Sequence, residues 1–285
     1  MNLLLQTTHQ TPGGPVSFRE FAPSRPLRPY VVCFWNGDKR ACQPSSYAHC
    51  VLPDGCSDII FDLQPDSPGA VVIGPMCRPR LVASDTKPAL GIRFFPGAAL
   101  TFLDIPLAEL QEKVVPLDRF HTDIGLLLER LLATSTLDQQ VALVENWLLS
   151  LLRRPRTDHH VTRAIKLTYA ERGRLQVSEL AEAVGLCVRQ LCRKFPTWTG
   201  YSPKQFVRLM RFQHALEGLT FHPEMKASDT AAMHGYADQA HMIREFCEFA
   251  GESPGAVQRT IRGGDVECPI FSIPTPGTLR YHREP

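Results

Sequence analysis

Two stretches of this chain repeat one another, and the repeat restricts the fold more than any other feature. Residues 178–185 read SELAEAVG and residues 228–235 read SDTAAMHG, so Ser178, Ala181 and Gly185 answer to Ser228, Ala231 and Gly235 at an offset of 50. Further on, Phe195 answers to Phe246, and Gly200-Tyr201-Ser202-Pro203 to Gly251-Glu252-Ser253-Pro254, now at an offset of 51. One unit has been duplicated, with one residue inserted after the glycine.

Each copy has the physics of a helix-turn-helix. The serine caps a short helix, with Glu179 or Asp229 behind it at the positive end of the helix dipole. Small Ala181 or Ala231 lets a second helix cross closely. Gly185 or Gly235 is free to take the left-handed conformation that ends the first helix, and Leu186 or Tyr236 follows as an apolar plug. The next helix, 188–195 or 238–246, is the one such a motif lays in a DNA major groove. Leu180, Val184, Leu191, Phe195, Ile243, Phe246 and Phe249 read as core. Between the copies, Pro203 suits the first turn of a connecting helix on which Phe206, Leu209, Met210, Gln213, Leu216 and Leu219 recur at helical spacing. A rigid connector of this kind would hold two reading helices roughly 34 Å apart, the separation of successive grooves on one DNA face.

Candidate contacts follow from side-chain chemistry. Arg189, Gln190 and Arg193 on the first reading helix suit base edges or phosphates, because arginine pairs bidentately with guanine and glutamine with adenine. The plainer alternative is an exposed polar helix face. Gln239, His241 and Arg244 take the same part in the second helix, where Asp238 suits a cap better than a contact. Lys194, Lys204 and Arg208 are phosphate candidates, set against ordinary solvated charge. Charge distribution agrees on the place: residues 157–262 hold 14 basic and 11 acidic side chains, whereas residues 1–156 hold 15 of each.

The rest of the chain has a different texture. Short apolar runs at Val31–Trp35, Ile59–Phe61, Ala70–Ile73 and Gly91–Phe95 read as strands, with a hairpin-type turn at Pro53-Asp54-Gly55. Leucines at 126–132 and an amphipathic run over 137–153 read as helices, the second either packing on its own domain or forming a dimer seam. Pro155 and the polar residues after it mark a domain boundary; residues 263–285 read as a mobile tail. No apolar run approaches the roughly 18 residues of a membrane span, and MNLLLQTTHQ lacks the charged start of a signal peptide. The expected location is the cytoplasm. Nine cysteines without a C-x-x-C pair argue against a disulfide framework or a zinc site, and buried thiols are the default. His49, Asp54, Cys56 and Asp58 cluster near the predicted turn, where a turn aspartate, strand polar groups and a buried thiol are the plainer reading than a metal site. Cys50 and Cys56 are candidates for oxidant sensing, and Trp35, Tyr47 and Arg93 for an effector pocket.

The segments SELAEAVGL, LCRKF, GYSPKQF and GYADQAHMIREF followed by GESP resemble the AraC/XylS family of bacterial transcriptional regulators over residues 158–262. Thr230 and His234 depart from that pattern, standing where the family is usually apolar. More distantly, VLPDGCSDIIFDL, VIGP, GIRFFPG and VVPLD resemble the effector domains of one subset of these regulators, which implies a cupin-like β-fold followed by helices. The expected architecture is therefore α+β in two domains. A β-rich cupin-like domain with appended helices (1–155) senses an effector or self-associates. An all-α domain (158–262) holds units at 175–200 and 225–251 joined by a linker helix. The resemblance implies sequence-specific binding of double-stranded DNA, a small-molecule effector, RNA polymerase and a second copy of the chain as partners, and no cofactor, metal or catalytic role. Two alternatives remain: a DNA-repair alkyl acceptor with a zinc-held cysteine on the same module, and a DNA-binding protein without an effector.

Overall fold

A computed structural model of the chain describes residues 17–38, 48–83, 89–152, 156–222 and 224–263. Tyr47, the boundary at Arg153–Pro155 and the tail beyond Gly263 lie outside the described residues. The expected two-part α+β architecture is observed. Strands β1 (Ser17–Phe21), β2 (Val31–Asp38), β3 (Ala48–Val51), β4 (Ser57–Asp62), β5 (Gly69–Ile73), β6 (Arg80–Ala83) and β7 (Ala89–Phe94) come first. Helix α1 (Leu100–Leu103), strand β8 (Val114–Pro116) and helices α2 (Ile124–Leu132) and α3 (Leu137–Leu151) complete this part. Six strands form one antiparallel sheet in the order β1-β2-β7-β4-β5-β8, and β3 pairs with β6 separately.

Alternation along the strands divides the sheet into two chemically distinct faces. Phe34, Ile59, Phe61, Leu90, Ile92 and Phe94 point to one side and form a core with Phe102, Leu131, Val144 and Leu148 from the helices. Trp35, Asp58 and Arg93 alternate with them and so belong to the other face. Trp35 lies directly across from Gly91, where a Cβ would stand 2.0 Å from the indole, so only glycine fits beneath that ring.

The predicted hairpin at Pro53-Asp54-Gly55 is not one. The turn joins β3 to β4, which belong to different sheets, while β4 pairs with β5 and β7. Gly55 does take the left-handed conformation (φ 87°), but the turn it makes packs on the C-terminal domain.

That domain consists of α4 (His159–Ala170), α5 (Val177–Ala183), α6 (Val188–Thr199), α7 (Pro203–Phe221), α8 (Ala227–Met233), α9 (Gln239–Phe249) and α10 (Pro254–Gly263). Helices α5 and α6 are the first unit, α8 and α9 the second, and α7 is the connector. Gly185 and Gly235 are left-handed as expected, with φ 73° and 75°. The inserted residue falls in the second turn: the cap of α6 is Cys187, two residues after its glycine, and that of α9 is Asp238, three after.

Two details differ from the sequence reading. Ser178 and Ser228 lie inside their helices, which start earlier with Gln176 and Lys226 as N-caps. Glu179 makes this possible in the first unit, since its carboxylate accepts the Gln176 backbone N–H at 2.7 Å and no hydroxyl cap is needed. In α9 the core position expected of Ile243 belongs to Met242. The Asp238 cap, accepting the His241 N–H at 2.6 Å, sets a register in which Met242, Glu245, Phe246 and Phe249 turn inward.

The two departures from an apolar second unit are both buried. Thr230 satisfies its hydroxyl on the Lys226 carbonyl at 3.2 Å. His234, 5% exposed, packs against Gly218, and neither of its ring nitrogens has a hydrogen-bond partner. Burial, reinforced by His214, Arg172 and Arg174, holds its pKa down at about 4. Unfolded, the ring titrates near the ordinary value of about 6.5. The unfolded chain thus binds the extra proton between these values. Stability is complete above about pH 7 and is lost as pH falls from about 6.5 towards 4. Urea midpoints measured across this range should show that loss, and His234→Leu should remove its contribution.

Candidate nucleic-acid interface

The first reading helix, α6, buries Leu191, Phe195 and Thr199 and leaves Arg189, Gln190, Cys192 and Arg193 exposed. At about 3.6 residues per turn, Arg189, Cys192 and Arg193 share one exposed strip with Gln190 at its flank. Gln190 is engaged locally: its side-chain oxygen accepts the Cys187 N–H at 3.1 Å and helps to start the helix. Cys192 was absent from the sequence-derived candidates because cysteines were expected to be buried. Its available signal was its position one turn after Arg189. Cys33 and Cys56 are buried, Cys50 and Cys77 half-buried, and Cys187, Cys192 and Cys247 exposed.

Lys194 and Arg208, read as phosphate candidates, are both engaged in ion pairs. Lys194 Nζ lies 2.7 Å from Asp158, the residue that caps α4 through the N–H groups of His160 and Val161. Burial pushes the Asp158 carboxyl up, but the Lys194 hydrogen bond and the two backbone donors outweigh it, and the net shift is downward. This pair ties the first reading helix to α4. Lys204 is exposed in the first turn of α7.

Around the second reading helix the decisive residue is one that sequence reasoning missed. Glu245 is 1% exposed and accepts from Arg208 Nε at 2.8 Å and from Arg211 at 2.8 and 3.3 Å. His241 stands 3.3 Å away on its own helix, and Arg208 also pairs with Glu248. Arg208 lies over the Phe249 ring and Arg211 over that of Tyr236, which fixes both guanidinium planes. Glu245 therefore fastens α9 to α7, and it draws Arg208 and His241 into that task. Gln239 and Arg244 remain exposed on α9.

In the N-terminal part, Trp35 and Arg93 come together around Asp58. Trp35 Nε1 donates to Asp58 at 3.3 Å, and Arg93 approaches Asp58 to 3.6 Å while forming an ion pair with Asp54. Burial pushes the Asp58 carboxyl up to about 7, opposed by the hydrogen bond from the Trp35 indole. Asp54 also accepts the Cys56 N–H at 2.9 Å, so it is at once the turn aspartate and the partner of Arg93. Burial pushes the thiols of Cys50 and Cys56 up, away from the reactive thiolate that oxidant sensing requires. Among the described residues no group of three or more His, Cys, Asp or Glu is placed to hold a metal ion, and the His49 side chain lies outside them. No helix among the described residues is long and apolar enough to cross a membrane.

Residues 180–260 match a family described as a helix-turn-helix domain, and residues 19–116 match a domain of unknown function, DUF6597. No curated protein matches the chain significantly. Among solved structures, a transcriptional regulator with an AraC-type DNA-binding domain from Chromobacterium violaceum is 20% identical, covering 36% of this chain and 91% of that one, with a TM-score of 0.34. The C-terminal domain of AraT, a response regulator from Geobacillus stearothermophilus, is 24% identical over 37% of this chain and 88% of that one, with a TM-score of 0.34. ToxT from Vibrio cholerae O395 is 11% identical over 77% of this chain and 94% of that one, with a TM-score of 0.40.

The duplicated units and the match over 180–260 define a DNA-binding protein of the helix-turn-helix class. Within that class, residues 180–260 are the helix-turn-helix domain and residues 19–116 the DUF6597 domain.

The Glu245 network carries a direct test. Glu245→Ala leaves two half-buried guanidinium groups without their shared carboxylate, and should cost about 3 kcal/mol of stability. A chemical-denaturation series on the full chain measures this, and Glu248→Ala, which removes only an exposed partner, should cost well under half as much.

Proposed function

We propose that the chain is an effector-responsive regulator acting in the cytoplasm, with α6 and α9 entering successive major grooves on one face of its operator. One observation carries this reading: two units of the same build present exposed helices with free polar side chains, and a single buried helix joins them. In the first unit Arg189 and Arg193 supply base readout, Gln190 reinforces the helix start, and Lys204 suits a phosphate. In the second unit Gln239 and Arg244 are the remaining contacts, since Arg208 and His241 serve the Glu245 network. The first unit accordingly reads more of the sequence and the second does more of the positioning.

For the N-terminal sheet we propose signal recognition on the face that carries Trp35, Asp58 and Arg93, away from its helical core. An indole beside a buried guanidinium and two carboxylates suits a small ligand with both apolar and polar parts. Regulation, and no catalysis, is the role proposed for this domain.

Selection of DNA sequences by the full chain from a random pool, followed by titration, tests the reading. Arg193→Ala should weaken the selected site by about 1–3 kcal/mol and relax preference at one position. Lys204→Ala should weaken all sequences alike and lower the salt slope by about 1. Unchanged affinity and preference in Arg193→Ala would remove that residue from the interface. Recovery of no preferred sequence by the wild type would end the operator reading. A metabolite screen for changed affinity tests the sensing role.

A further inference from the structure

The segment Gly74–Pro79, which follows β5, lies beside both helix-turn-helix units at the same position of the repeat. Gly200 and Gly251 are the repeat-equivalent residues that follow the two reading helices, and both are left-handed, with φ 81° and 75°. At Gly200 a Cβ would stand 2.7 Å from Pro75 Cγ, and at Gly251 one would stand 3.5 Å from Pro79 Cγ. Beside the first contact, the buried Tyr201 hydroxyl donates to the Met76 carbonyl at 2.7 Å.

From behind, the Gly74 N–H donates to the Lys113 carbonyl at 3.0 Å and Gln111 Nε2 to Cys77 Sγ at 3.0 Å, and Glu112 makes the largest set of bonds to the segment. Glu112 has φ 61°, a left-handed conformation that a side chain with a Cβ adopts only when its surroundings require it. In that conformation its N–H donates to the Pro75 carbonyl at 2.9 Å, and its carboxylate accepts the N–H groups of Cys77 and Arg78.

We infer that Gly74–Pro79 is a brace that fixes the separation and angle of the two reading helices, and that Glu112 is the positioning residue that holds it. Helix α7 links the units on one side, and the brace links the ends of their reading helices on the other. Helix α7 and the bond from Arg174 to the Met233 carbonyl hold the units together away from the far ends of the two reading helices. A further tie at Gly200 and Gly251 fixes those ends. The β-rich domain thereby takes part in setting which groove spacing the protein accepts. This rests on the reading of α6 and α9 as DNA-reading helices.

The test needs a readout that mere loss of stability would not move. Cys192 on α6 and Cys247 on α9 are exposed and accept nitroxide labels, with the other reactive thiols replaced. Distances between the labels, read by pulsed electron resonance on the folded full chain without DNA, should form one narrow distribution. Glu112→Ala should broaden it by about twofold or shift its centre, as expected when one of the ties is lost. Tyr201→Phe, which deletes only a hydroxyl, should do the same to a smaller extent and serves if Glu112→Ala fails to fold. Glu109→Ala, an exposed neighbour, should leave the distribution unchanged. On a selected site lengthened by one base pair, the wild type should lose about tenfold in affinity and Glu112→Ala distinctly less. Distributions that stay narrow and centred in both variants, with only a lowered melting temperature, would overturn the brace. Failure to select any DNA site would overturn the reading of the helices while the label distances still judged the brace.

Discussion

Helix α7 is buried almost all the way round, and the rest of the C-terminal domain takes its position from it. Phe206, Leu209, Met210, Phe212, Ala215, Leu216 and Leu219 are all closed off from solvent, although the helix runs through the middle of a domain with two separate reading units. A helix with so broad an apolar surface must be covered over most of its circumference. The first unit packs on its N-terminal half through Phe195 and Tyr201 against Phe206. The second packs further along, through Phe246 and Phe249 against Phe212. Each such side chain contributes about 1.5–3 kcal/mol on burial, so neither unit can leave α7 without losing several contributions at once.

Apolar packing alone would let these surfaces slide, and the polar residues of α7 prevent it. Arg208 and Arg211 meet Glu245 of the second unit, and Gln213 donates to the Pro53 carbonyl of the N-terminal part. Each of these bonds has one correct partner, and a shift by one residue would leave a buried charge or amide unpaired. The Pro53–Gly55 turn is fixed by packing, because Gly55 is left-handed and a Cβ there would stand 3.0 Å from Phe206 and 3.4 Å from Met210. Leu52 joins the C-terminal core and Trp198 packs against both cores, so the N-terminal and C-terminal parts share a continuous interior.

Local patterns were legible in the sequence and distant partnerships were not. The two left-handed glycines, the Asp238 cap and the start of α7 at Pro203 depend on residues a few positions apart, and the structure has them where the spacing put them. Glu245 could not be recognised in this way. It sits in a run that reads as an exposed helix, and its arginine partners lie 34 and 37 residues earlier. Pro53-Asp54-Gly55 has turn chemistry, but which sheet each neighbouring strand joins is a long-range choice that turn residues do not encode. The caps failed for a subtler reason. Ser178 is a good cap, yet Glu179 with Gln176 offers a reciprocal one two residues earlier, and packing of Leu180 and Ala181 selects the longer helix.

The asymmetry between the units follows from the same division of tasks. In the first unit the cation spent on structure is Lys194, which pairs with Asp158 and leaves Arg189 and Arg193 exposed. The second has the insertion in its turn, the buried His234 with unpartnered nitrogens, and a reading helix fastened through its own Glu245 and His241. A helix held by a buried carboxylate cannot expose that face, and what remains open is a narrower strip around Gln239 and Arg244. The second unit therefore has a weaker apolar seat and a stronger polar anchor. Duplication produced two copies of one motif. Burial of different residues at equivalent positions then left the first copy with the wider exposed basic strip and gave the second its polar anchor.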